Sequence, residues 1–243
     1  MNVLVACEES QTVCAAFRRG GHNAYSCDIQ ECSGGHQEWH ILGDVLPLLN
    51  GRCTFKTMDG TQHIMPGKWD LIIAHPPCTD LCVSGARWFT EKQRDMRQQK
   101  ACVFFMYFAL ADCEHIAIEN PVGIMSTVYR KPDQIIQPYE YGHPTKKATC
   151  LWLKGLPPLT ATEIVVPELI EYHYKNGKIK KYGKGIDAAR NENGRMYNYS
   201  DPITAKMRSK TFQGIADAMA AQWGDLNRQA TVFDYMDEES INA

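Results

Sequence analysis

Short apolar runs alternate with longer amphipathic stretches along most of this chain. Residues 2–6 (NVLVA) are too few for a helix and read as a buried strand. Residues 11–19 then carry Val13, Ala16 and Phe17 at helical spacing, Gly20 and Gly21 stop that helix, and residues 24–27 form a second short strand ending at Asp28. The opening is therefore a βαβ unit. The apolar pair Ile41 and Leu42 leads into a loop holding Gly43 and Asp44, residues 50–68 are polar and turn-rich, and residues 69–74 (WDLIIA) form another strand. A dense apolar pattern over residues 98–111 predicts a buried helix, followed by a strand at 115–118. Near the end, residues 211–223 place Ile215, Ala216, Met219 and Ala220 on one helical face.

Two of these strands end abruptly in proline. Residues 71–74 suit a strand buried on both faces and run into Pro76, Pro77 and Cys78; residues 115–118 run into Glu119, Asn120 and Pro121. Open α/β sheets bind ligands at the carboxyl ends of their strands, so Cys78 is delivered to a functional edge. If the two strands are neighbours, Cys78 and Glu119 face one pocket. A thiolate there can attack an electron-poor ring while a carboxylic acid protonates it, and burial is expected to raise the Glu119 pKa towards neutrality. A buried structural thiol is the plainer account of Cys78. Asp28, also at a strand end, can hold ribose hydroxyls or cap the next turn.

Composition adjusts this picture in three places. The 243 residues, 44% hydrophobic, fit one domain with an appendage or two small domains. The net charge of −2 does not suggest a polyanion binder, but it is an average over an uneven chain. Residues 172–185 hold five lysines and no acid, interleaved with three tyrosines, and Arg190, Arg195, Tyr197 and Tyr199 follow. Such side chains, Lys178, Lys180 and Lys181 among them, neutralise phosphates while tyrosines stack on bases. Asn176 and Gly177 equally mark a solvated hairpin turn. Acidic residues 234–239, expected to be disordered, mask the basic stretch. The ten cysteines are scattered through apolar segments and read as reduced thiols. Cys32, His36 and His40 are spaced by four, but Gly34 and Gly35 make that stretch a loop and no metal is expected. With no apolar run long enough to span a bilayer and no secretory signal, a cytoplasmic location is expected.

These residues carry a family resemblance. Pro76, Pro77 and Cys78 with Ser84, Gly85 and Arg87 resemble the nucleophile loop of DNA cytosine C5 methyltransferases, and Glu119, Asn120, Pro121 and Gly123 resemble their Glu-Asn-Val loop. The chain is similar to the short, phage-type members. Tyr141, Gly142, His143, Pro144 and Lys147 resemble part of a later motif, with Thr145, Lys147 and Thr149 replacing its glutamine and arginines. Residues 211–223 resemble the last motif, which packs beside the first strand.

The resemblance implies a Rossmann-like α/β fold, a mostly parallel sheet with helices on both faces. It implies a catalytic core over 1–155, a small target-recognition region over 156–205, a returning helix within 206–224 and an acidic tail over 225–243. It implies S-adenosyl-L-methionine (AdoMet) as cofactor, near Ala6, Cys7, Glu8, Asp28, Ile29, Asp44, Val45 and Pro76. Where the family has a glycine-rich turn, this chain has Cys7, Glu8 and Glu9, and a glutamate there could meet the cofactor's ammonium. The catalytic set would be Cys78, Glu119 and Lys147; the substrate set Pro77, Ser84, Arg87, Asn120, Pro121, Lys178, Lys180 and Lys181. The implied partner is cytosine-containing DNA, met by a monomer in a bacterial host cell. The small recognition region implies short or relaxed sequence recognition. RNA or a free pyrimidine nucleotide is the alternative substrate, and a DNA-binding protein with reduced catalysis the alternative class.

Overall fold

The computed structural model describes residues 1–173, 177–183, 209 and 211–225. The central sheet is built from β1 (Asn2–Ala6), β2 (Asn23–Asp28), β3 (His40–Leu42), β6 (Leu71–Ala74), β7 (Ile116–Pro121), β8 (Gln134–Ile136) and β9 (Thr149–Lys154). Its order is β3-β2-β1-β6-β7-β9-β8. The five strands from β3 to β7 are parallel; β9 runs antiparallel to both β7 and β8. This is a mostly parallel α/β sheet whose order reverses beside β1.

Alternation along the central strands sorts side chains into two cores. Leu4 and Ala6 of β1, with Ile72 and Ala74 of β6, face Phe105 and Phe108 of α3 (Arg97–Ala109). Val3, Val5, Leu71 and Ile73 face the other way, onto Val13 and Phe17 of α1 (Thr12–Arg19) and Met219 and Trp223 of α5 (Gln213–Trp223). Every residue of β6 has zero exposure, as a strand covered on both faces requires. The side chains of Leu71, Ile72 and Ile73 each contribute roughly 1.5–3 kcal/mol by leaving water. Helix α5 packs along α1, which brings the C-terminal helix back to the first strand.

Two stretches differ from the sequence reading. Residues 50–68 form an antiparallel hairpin, β4 (Cys53–Lys56) with β5 (Gln62–Met65), instead of an irregular connection. Phe55 and Met65 are buried, Phe55 packs on Tyr25 and Trp69, and His63, opposite Phe55, stacks on it and meets the Tyr25 hydroxyl. Strand β7 continues through Glu119 and Asn120 to Pro121, because β9 pairs it as far as Pro121↔Thr149. All ten cysteines are free thiols.

Two short helices, α2 (Phe89–Arg94) and α4 (Met125–Val128), follow the prolines of β6 and β7. A second hairpin, β10 (Leu169–His173) with β11 (Ile179–Gly183), carries the described part of the lysine-rich segment. Asn176, Arg190, Arg195, Tyr197, Tyr199 and the acidic residues 234–239 lie outside the described residues. No helix among the described residues is long and apolar enough to cross a membrane.

Candidate active site

The parallel register Ala74↔Ile118 sets the exits of β6 and β7 side by side. Both proline-bearing loops therefore leave the same edge of the sheet, and polar contacts stitch them together. Asn120 Nδ2 donates to the Pro76 carbonyl at 2.7 Å, and His75 Nδ1 lies 3.1 Å from Glu119 Oε2. Farther out, the Val83 amide donates to Val122 O and the Ile124 amide to Leu81 O. Gly123 sits at this seam, where an added Cβ would lie 2.4 Å from the Leu81 carbonyl oxygen, inside any real contact. Only glycine lets the two backbones approach this closely.

Cys78 is half-buried. The Leu81 and Cys82 amides both donate to its carbonyl, closing a helical turn that brings Cys82, itself 8% exposed, against it. The loop is tied to α2 by Lys92, whose ammonium donates to Thr79 O and lies 3.1 Å from Asp80. The Cys82 side-chain hydrogen bond, then burial, then the charges of Cys82 and Glu119 push the Cys78 thiol far up, against the opposing charge of Lys147. The resting sulfur is therefore protonated.

Glu119 behaves opposite to expectation. Burial alone would raise it, but the His75 hydrogen bond and the charges of Lys147 and His75 outweigh burial and hold it below the ordinary glutamate range. At rest it is a carboxylate, not the carboxylic acid that burial alone predicted. Lys147 reaches both groups electrostatically from the segment before β9, where its amide donates to Gln137 Oε1. Its ammonium lies 5.9 Å from the Phe212 ring centroid, and the Gly214 amide donates to His143 Nε2, so the approach to α5 braces this segment.

Pro76 is buried and Pro77 exposed on the same loop, and Pro121 is half-buried at the end of β7. Asn120 is 2% exposed and ties the loops together. Ser84 and Arg87 lie on the 3-10 turn Val83–Trp88, and Lys180 and Lys181 on β11; their side chains lie outside the described residues. Lys178 is exposed beside the turn of the second hairpin.

A second group of residues gathers at the ends of β1, β2 and β3. Cys7, directly after Ala6, has φ 59°, the left-handed backbone that glycine adopts most easily, and its amide donates to Cys27 O. Glu8 does not point to a ligand. Its carboxylate is 4% exposed and accepts the Val13 and Cys14 amides at 2.6 and 3.1 Å, capping the first turn of α1. The helix thus engages the Glu8 carboxylate, whereas the neighbouring Glu9 keeps a buried Oε2 with no hydrogen-bond partner among the described residues. Burial raises the Glu8 pKa, with His75 and those two amides opposing.

Asp28 and Asp44 converge on this corner. Burial, then Asp28 and Asp44, push Cys27 up to about 12. Each aspartate accepts a local amide, from Gln30 and Leu46, which fixes its direction. Ile29 stands 80% exposed beside Asp28, while Val45 is buried. Cys32, His36 and His40 are not assembled as ligands. His36 stacks on Trp39 at 3.7 Å between ring centroids, and His40 is engaged by Ser26 Oγ and Gln30 O. No group of three or more possible metal ligands occurs among the described residues.

Sequence reasoning passed over His75, Cys82, Lys92 and Phe212. Spacing could have found two of them, since His75 immediately precedes the prolines and Cys82 lies one helical turn after Cys78. Lys92 and Phe212 meet the site only through tertiary packing.

No protein-family model and no curated protein matches this chain. Among solved structures, it is similar to a candidate DNA modification methyltransferase encoded within a prophage of E. coli. The two are 17% identical with a TM-score of 0.45, over 69% of this chain and 52% of that one. The chain thus spans about half the length of that neighbour.

Proposed function

We propose that this protein is an AdoMet-dependent DNA cytosine C5 methyltransferase. The observation that carries the reading is the pairing of a cysteine and a carboxylate, Cys78 on the loop after β6 and Glu119 near the end of β7, at one edge of adjacent parallel strands, with Lys147 acting on both. A target cytosine must leave the duplex stack to reach them. Cys78 Sγ would then add to ring carbon C6 while Glu119 engages N3 and the exocyclic amine. Because the pair rests as thiol and carboxylate, the sulfur proton has to leave as the C–S bond forms, and Glu119 is an acceptor whose charge Cys78 already feels. Protonated Glu119 can in turn donate to N3, which moves electron density onto C5. Loss of the C5 proton after alkylation expels the sulfur and restores Cys78.

The corner beyond β1, β2 and β3 fits AdoMet. Two aspartates with fixed carboxylates suit ribose hydroxyls and the polar edge of a nucleoside, and the exposed Ile29 offers a ring an apolar face. Residues Ala6, Cys7 and Glu8 would contribute backbone, and Val45 and Pro76 would line the site. AdoMet supplies the electrophilic methyl group on its sulfonium. The lysines of β11 and of its turn, with Arg87, would meet DNA phosphate within a recognition region over 156–205, appended to a core over 1–155.

Bisulfite sequencing of duplex DNA exposed to protein and AdoMet tests the reading. Protected cytosines are expected, and none with Cys78→Ser. Equal protection by that variant would sink the covalent mechanism, and labelled methyl transfer to RNA or dCMP in place of DNA would reassign the substrate.

A further inference from the structure

His75 occupies a position that packing alone does not explain. It leaves β6 with its amide donating to Ala6 O, so its backbone extends the sheet between β1 and β7. Its side chain is only 9% exposed, yet Nε2 is buried with no hydrogen-bond partner among the described residues, while Nδ1 lies 3.1 Å from Glu119 Oε2. An apolar residue would fill this volume without leaving a ring nitrogen unsatisfied. A half-satisfied histidine beside the reacting carboxylate points to a role in that carboxylate's chemistry.

We propose that His75 is a positioning residue for Glu119: Nδ1–H holds Oε2 from the strand side, fixes the carboxylate's orientation and leaves the other oxygen to meet the base. This rests on the methyltransferase reading for its consequence, though not for its geometry. Glu119 is faced by His75 after β6, by Lys147 before β9, by Cys78 on the neighbouring loop and by Cys150 on β9. His75 is faced by Glu119 and, from the loop after β1, by Glu8, whose carboxyl feels its charge. Lys147 acts on Glu119 through charge, whereas His75 adds a side-chain hydrogen bond.

The sign follows directly. The His75 contact favours the carboxylate, so removing it lets burial raise the pH at which Glu119 takes its proton. Any step governed by Glu119, whichever protonation state it uses, moves its pH limb upward. Asparagine can present an amide N–H near the position of Nδ1, so His75→Asn should restore what His75→Ala loses.

The test titrates the full chain labelled with carboxyl-13C glutamate, with the Glu119 resonance assigned by Glu119→Gln, and records the pH profile of methyl transfer to duplex DNA in parallel. In His75→Ala the Glu119 midpoint should rise by roughly one to three pH units. The corresponding kinetic limb should move with it, and His75→Asn should return both towards wild type. An unmoved Glu119 midpoint in folded His75→Ala overturns the proposal whatever the activity. Absence of methyl transfer by the wild type, with the midpoint still shifting, upholds the His75–Glu119 relation and defeats the functional reading instead.

Discussion

Cys78 and Glu119 rest in the protonation states opposite to those of the proposed attack: sulfur protonated, carboxylate ionised. Cys82 is the first cause on the sulfur side, and its removal should free the thiol. In Cys82→Ala, alkylation of Cys78 by iodoacetamide at pH 8, followed by peptide mass spectrometry, should proceed about tenfold faster, one pKa unit's worth. An unchanged rate would mean that Cys82 does not restrain the Cys78 thiol. Cys78, Glu119, Asp28 and Asp44 were legible as residues because each closes a short apolar run at a turn. Their charge states were not legible. Burial argued for a protonated Glu119, and what reverses it is a histidine 44 positions away in sequence and a lysine from the segment before β9. The partners of Glu8 were hidden for the same reason, since they are the amides of the helix that follows.

At the level of elements, the site depends on two loops held in register by their backbones. Gly123→Ala puts a methyl group against the Leu81 carbonyl, and neither neighbour is a flexible side chain that can yield. A loss of about 1–3 kcal/mol is expected from overpacking, read as a lower urea midpoint with unchanged m, together with slower methyl transfer. Wild-type stability and turnover would show that the seam is not structurally required. The strands β1, β2, β6 and β7 and the helices α1, α3 and α5 were legible because their apolar periodicity is strong and continuous. The β4–β5 hairpin was not, because one face of it is solvated and its few inward residues, Phe55 and Met65, are diluted by turn residues.

Across the whole molecule, the mostly parallel sheet gathers two chemistries on one edge. The ends of β1, β2 and β3 bring Asp28 and Asp44 towards Cys7 and Cys27, and the ends of β6 and β7 bring Cys78 and Glu119 together. The antiparallel return of β9 then carries in Lys147, braced near Phe212 at the approach to the C-terminal helix. Strand order of this kind is invisible to periodicity, which finds strands but not their neighbours. The central claim is that Cys78 bonds covalently to a cytosine ring. Long duplex DNA carrying 5-fluorocytosine throughout blocks the final proton loss, so an attacking sulfur stays attached once the methyl group has been transferred. Incubation with the protein and AdoMet should yield a denaturation-resistant complex whose crosslinked peptide contains Cys78, and Cys78→Ser should yield none. DNA that binds tightly without forming that adduct, or an adduct that persists in Cys78→Ser, would contradict the account.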